Sequence, residues 1–139
     1  PASRVAMKAI EVSAGLIFHA GKLLITQRFA DAHLGGLWEF PGGKVEAGET
    51  DPDALVRECR EELDVELRIG RHLWRTSHAY DDLVVNLELF AADIVTGDPK
   101  PLGAQALKFC TPAEMQALPF CEADLPLLAK LVSGEVPTR

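Results

Sequence analysis

Three glutamates define the chemistry that this sequence can support. Glu58, Glu61 and Glu62 stand at i, i+3 and i+4, and at about 100° per residue that spacing turns all three carboxylates to one helix face. Leu55, Cys59 and Leu63 form the neighbouring apolar stripe. Like charges so placed destabilise an isolated helix by about 0.2–0.5 kcal/mol per pair, and only Arg57 and Arg60 stand close enough to offset them. A divalent cation would remove the repulsion. Hard carboxylate oxygens suit Mg²⁺ or Mn²⁺, ions that keep several waters and commonly bridge protein carboxylates to phosphates. Upstream, Gly42-Gly43 lets backbone approach closely, so a carbonyl there is a candidate oxygen ligand as well as part of an ordinary turn. An EF-hand is a poor alternative, because no loop of alternating Asp or Asn with a central glycine is present.

Charge is concentrated in the same stretch. From Glu46 to Glu66 nine acids face two bases, Arg57 and Arg60, whereas the remaining residues carry 12 acids and 12 bases. The whole net charge of −7 over 139 residues therefore comes from one segment. Taken alone, such a run reads as a solvated helix face or as a cation site. No basic surplus exists elsewhere to hold a phosphate backbone, which argues against stable duplex nucleic-acid binding. No apolar run approaches the roughly 20 residues of a membrane span, and no secretory leader pattern is present. Cys59, Cys110 and Cys121 are odd in number and lack metal-ligand spacing, so neither a disulfide framework nor a zinc site is expected. A soluble, cytoplasmic protein with reduced thiols and one domain is the expectation, with a hydrophobic content of 47% to build its core. Residues 4–134 are taken as that domain, and 1–3 and 135–139 as flexible termini.

The elements that must position the glutamates can be read from periodicity. Val5 to His19 places Ile10, Val12, Ala14, Leu16 and Phe18 in near alternation, and after Ala20-Gly21 the run Leu23 to Thr26 returns as the second strand of a hairpin. Asp31 to Gly36 is a loop, and Leu37 to Phe40 a short strand entering the Pro41-Gly42-Gly43 turn. Thr50 caps the next helix, with Asp53 as a partial capping box and Pro52 in the first turn, so that the helix spans Asp51 to Leu63. Leu83 to Ala91 alternates as a strand, and Ala106 to Cys110 is a shorter one. Thr111-Pro112 opens a short helix through Ala117, and Ala123 to Val132 reads as a terminal helix with Pro126 in its first turn.

Gly43, Glu49, Arg57, Glu58, Cys59, Glu61, Glu62 and Val65 together resemble the Nudix box, G-x5-E-x7-R-E-U-x-E-E-x-G-U, in which U is a bulky apolar residue. The sequence departs from it at Asp64, which replaces the glycine after the helix and must take the left-handed conformation there. Cys59 fills the bulky position as a small buried hydrophobe. Outside the box, Arg28-Phe29-Ala30-Asp31-Ala32-His33, Trp38 to Lys44 and Ala123-Asp124-Leu125-Pro126 are similar to segments of the MutT-like branch of the Nudix hydrolases.

That resemblance implies an α/β/α sandwich with a mixed central sheet. It implies that the Gly42 carbonyl, Glu58, Glu61 and Glu62 hold Mg²⁺, with Mn²⁺ as an alternative, that Glu49 pairs with Arg57, and that Glu58 orients or deprotonates water. Arg28 would contact phosphate, Tyr80 and the Phe40 backbone would flank a base, and Asp124 would read the base edge, accepting or donating according to its protonation. Trp38 is expected to pack beside the pocket. In several relatives a further glutamate from a late loop joins the site. Alignment on Phe109 puts Gly103 at that position, so that Glu58 acts alone, another acid such as Glu88 contributes, or turnover is slow. The implied activity is Mg²⁺-dependent cleavage of a nucleoside triphosphate, oxidised or otherwise modified, for example 8-oxo-dGTP, to monophosphate and pyrophosphate. Rival readings are removal of pyrophosphate from RNA 5' ends, cleavage of nucleoside-diphosphate sugars such as ADP-ribose, and a nucleotide-binding module without turnover.

Overall fold

Near-alternation of apolar residues builds β1 (Lys8–His19), and Ala20 and Gly21, both at positive φ, turn the chain tightly into β2 (Lys22–Gln27). The structure, a computed structural model, describes residues 8–136. The expectations for residues 1–3, for the first residues of the leading strand and for 137–139 lie outside the described residues.

Five strands follow in chain order: β3 (Trp38–Glu39), β4 (Gly42–Lys44), β5 (Glu66–Ala79), β6 (Leu83–Thr96) and β7 (Ala106–Cys110). The sheet order is β3-β2-β1-β6-β5, with β4 paired to β1 and β7 to β2. β1 and β6 run parallel over Lys8↔Leu83 to Ile17↔Ala92, and the other pairings are antiparallel, so the sheet is mixed. A parallel pair needs a crossover. Here the helix α1 (Asp51–Leu63) and the strand β5 supply it.

Period-two alternation sends the strand residues to two cores. Ile17, Leu24 and Phe90 pack against Leu55, Cys59 and Leu63 of α1 on one face. Leu16, Leu23, Leu87 and Leu89 pack on the other face against Leu127, Leu128 and Leu131 of α3 (Leu125–Ser133), with Met115 of α2 (Pro112–Met115). This is the expected α/β/α sandwich. Among the described residues no helix is long and apolar enough to cross a membrane.

Local signals place α1 as expected. Thr50 accepts from the Asp53 N–H at 3.2 Å, Pro52 lies in the first turn, and the helix stops at Asp64 with φ 59° and ψ 41°. Glycine occupies the left-handed region without a Cβ penalty. Asp64→Gly should therefore stabilise the fold by about 1 kcal/mol, the low end of the left-handed Cβ penalty, measured as an increase in the urea midpoint; an unchanged or lower midpoint would show that the Asp64 to Lys100 ion pair at 3.2 Å outweighs the backbone gain.

The structure extends β6 past the expected Ala91 to Thr96 and ends α2 at Met115, short of Ala117, and it differs from the sequence reading more substantially at three places. Gly42–Lys44 is not only a turn but pairs with β1 through Val12↔Lys44 and Ala14↔Gly42. The 14-residue β5 went unread, because register shifts at Glu66/Leu67, Ile69/His72 and His72/Trp74 break its alternation and much of it is exposed. The terminal helix begins as a 3-10 turn, Glu122–Asp124, before α3. Pro126 has no N–H for the α-helical bond to the Glu122 carbonyl, and the Leu125 N–H takes that carbonyl instead. Past α3, Val136 is buried and its N–H donates to the Lys130 carbonyl at 3.2 Å.

Candidate active site

The loop from β4 into α1 is organised around one guanidinium. Arg57 donates through Nε and Nη2 to the two oxygens of Glu49 at 2.6 and 2.9 Å, through Nη1 to Glu58 at 2.9 Å and Glu61 at 3.1 Å, and through Nη2 to the Lys44 carbonyl at 3.0 Å. All five of its donors are thus assigned. The guanidinium, helped by the Glu46 N–H, holds the Glu49 carboxyl down at about 2. The expected Glu49 to Arg57 pair is present. The same arginine also offsets the helix-face repulsion, while Arg60 turns away to Glu66.

A cleft of about 740 Å³ is lined by Gly42, Gly43, Glu58 and Glu62, by Arg28 and Glu39, and by Phe40, Tyr80, Cys121 and Asp124. Glu58 and Glu62 are hydrogen-bonded to each other. Burial, followed by the Glu58 charge and that hydrogen bond, pushes the Glu62 carboxyl well above the usual range. A Cβ on Gly43 would collide with the Glu58 carboxyl group, so the second glycine leaves the room that this carboxylate fills. Glu61 is not brought into the cleft. It is 59% exposed and hydrogen-bonded to Arg57. Among the described residues, no three His, Cys, Asp or Glu side chains are gathered as a metal-holding group. The donor chemistry of the cleft nevertheless suits a hard divalent cation. Two carboxylates, close enough to share a proton, lie beside a glycine loop kept clear of side-chain bulk.

The late loop reaches this pair. The Leu102 and Gly103 N–H groups both donate to the Glu62 carbonyl at 3.0 Å, and the Lys100 N–H to that of Leu63 at 2.9 Å. Gly103 and Ala104 share a small cavity with Glu58 and Glu62. No acid replaces them from β6. Glu88 lies on the opposite sheet face from the cleft-lining Leu87 and is held by His72 at 2.6 Å and Arg75 at 2.8 Å.

The other wall holds the remaining sequence candidates. Arg28 lines the cleft with its Nε on the His33 carbonyl at 2.7 Å and its Nη1 on both oxygens of Glu39 at 3.3 Å. The Phe40 ring is buried against Phe120, and its backbone N–H donates to Asp124 Oδ2 at 3.3 Å. The Tyr80 hydroxyl accepts from the Ala123 N–H at 3.1 Å. Trp38 packs in the core. Cys59 and Cys121 are buried, which pushes both thiols up to about 12, and so neither is a nucleophile.

Glu39 was missed by the sequence reading. Burial raises its carboxyl against the lowering effect of Arg28, and its charge in turn raises both Glu62 and Asp124. Its signal was an acid between two aromatics, Trp38 and Phe40, in a short strand.

Burial pushes Asp124 up to about 8, with Glu39 adding and the Phe40 N–H opposing. The fold thus favours the protonated acid. That contribution is complete below the ordinary value of 3.8 and is lost as pH rises through about 8. Asp124→Asn should keep an acceptor for Phe40 and remove the dependence. Thermal melts should show the variant gaining on the parent across this window and levelling above it, whereas parallel curves would place an ionised carboxylate in the wall.

The NUDIX domain pattern matches residues 13–130. The chain is similar to the CTP pyrophosphohydrolase of Escherichia coli strain K12, 40% identical over 122 residues that span 88% of this chain and 90% of that protein. It is also 31% identical to the 8-oxo-dGTP diphosphatase of the same strain, over 90% of this chain and 98% of that one. The solution structure of the Escherichia coli ORF135 protein superposes with a TM-score of 0.78 at 37% identity, covering 93% and 92% of the two chains.

Proposed function

This chain belongs to the NUDIX domain family and is a pyrophosphohydrolase acting on phosphoric anhydride bonds; within that family we propose that it cleaves nucleoside triphosphates to monophosphate and pyrophosphate, with Mg²⁺ or Mn²⁺, and prefers a modified base. One observation carries this reading: the carboxylate pair Glu58 and Glu62 and the base-facing group of Asp124, Tyr80 and the Phe40 N–H line a single cleft. Relatives named for CTP and for 8-oxo-dGTP support a triphosphate substrate.

Glu58, Glu62 and the Gly42 carbonyl would hold the cation, joined by Glu61 on leaving Arg57. When bound, such an ion neutralises phosphate charge and lowers the pKa of water. Glu58 orients the attacking water and accepts its proton. The Arg57 hub fixes the Glu58 rotamer, and Arg28 meets the phosphate tail. The water oxygen bonds to phosphorus as the anhydride bond breaks, so that pyrophosphate leaves without a covalent enzyme intermediate. Asp124 is protonated at neutral pH, accepts from the Phe40 N–H and presents its own proton to an acceptor on the base.

The test is pyrophosphate release with Mg²⁺ across ordinary, oxidised and methylated nucleoside triphosphates, including CTP and 8-oxo-dGTP, beside triphosphorylated RNA and ADP-ribose. One free triphosphate should dominate, and Asp124→Ala should alter the order among bases more than it lowers kcat. Turnover confined to RNA or to ADP-ribose would overturn the assignment. Metal-dependent binding with no turnover on any of them would make the chain a binding module.

A further inference from the structure

The base-facing Asp124 sits where a 3-10 turn runs into α3. Glu122–Asp124 is a single turn without a side-chain cap, anchored at its far end by the core-packed α3 that begins at Leu125. Two rails hold its free side. On one side the Cys121 N–H donates to the Trp38 carbonyl at 2.9 Å, and the Phe40 N–H to Asp124. On the other, the end of β5 holds it: the Ala123 N–H donates to the Tyr80 hydroxyl, and His78 Nε2 lies 3.2 Å from Glu122 Oε2.

His78 links both contacts of the second rail. Its ring meets the Tyr80 ring edge-on at 4.6 Å between centroids. It stands across from Val85, a cleft-lining residue, but is not itself in the cleft lining. The imidazole thus packs edge-on against Tyr80 while its Nε2 contacts Glu122, one residue before the Ala123 N–H and two before Asp124. We propose that His78 is a positioning residue for base selection, acting through Tyr80 and Glu122 to set the spacing between the Tyr80 ring and the Asp124 carboxyl.

This rests on the reading that Tyr80 and Asp124 hold the base. His78→Ala should raise KM for the preferred triphosphate about 10-fold with kcat within twofold, and narrow the spread of kcat/KM among bases. Hydrolysis of deoxyribose 5'-triphosphate, which lacks a base, should stay within twofold of the parent for both constants. His78→Phe should recover the ring contact and part of the KM, and His78→Ala combined with Glu122→Ala should be no worse than His78→Ala alone. A fall in kcat at unchanged KM, an equal loss on the base-free substrate, or parental selectivity in His78→Ala would overturn the proposal. Asp124→Ala separates the two failures. If it leaves base preference unchanged, the base-site reading fails; if it alters preference while His78→Ala does not, only the role of His78 fails.

Discussion

Glu58→Gln should lower kcat by about 10²–10⁴-fold, the range typical of losing a positioned general base, while KM changes little and the fold is retained. The amide has the size of the acid, and its oxygen can still accept from Arg57 Nη1, which lies 2.9 Å from Glu58. What it loses is the charge and the capacity to take a proton. Glu58 is singled out from the three helix-face glutamates by its surroundings. It lines the cleft, touches Glu62, and is held in place by an arginine that is itself fixed by Glu49. Glu61, exposed and outside the cleft, should give a smaller loss on the same change. Pyrophosphate release under saturating substrate measures both, with circular dichroism to verify folding. A Glu58→Gln enzyme within threefold of the parent would move the base elsewhere.

Gly103→Glu is expected to inactivate, although it adds an acid at the position where the family resemblance leads one to expect a further ligand. A Cβ on Gly103 would lie 2.6 Å from Glu62 Cγ and 2.8 Å from Glu62 Cβ. The loop cannot retreat, because the Leu102 and Gly103 N–H groups are bonded to the carbonyl of that same glutamate. The side chain of Glu62 would have to move, and a displacement of about 1 Å in a reacting group can cost about 10²-fold. We expect kcat/KM to fall by that order and stability by about 1–3 kcal/mol, as in other overpacked sites. Gly103→Ala should give part of both losses without adding charge, which isolates the steric cause. A rise in kcat for Gly103→Glu would mean that the loop opens to accept a further ligand, and that glycine here is a lost carboxylate and not a space-making residue.

Both expectations use facts of different origin. The glutamate spacing, the Thr50 cap, the left-handed Asp64 and the extent of α1 are relations within a few residues, and so the sequence alone determined them. The two-sided core was legible for the same reason in β1 and β6, where alternation runs unbroken enough to assign faces. Alternation failed in β5, since each bulge reverses the faces that follow it, and the His78 and Tyr80 contacts with Glu122 and Ala123 were lost with it. The missing acid at Gly103 could be counted from the sequence, but its reason could not: that glycine touches Glu62 across 41 positions of chain. The same holds for the five-donor Arg57, for Glu39 beside Asp124, and for Glu61 falling outside the cleft although its spacing matches that of its neighbours. Helical periodicity fixes the direction in which a side chain leaves the backbone. Which partner captures it, and how far burial moves its proton, depends on residues that only tertiary packing brings within reach.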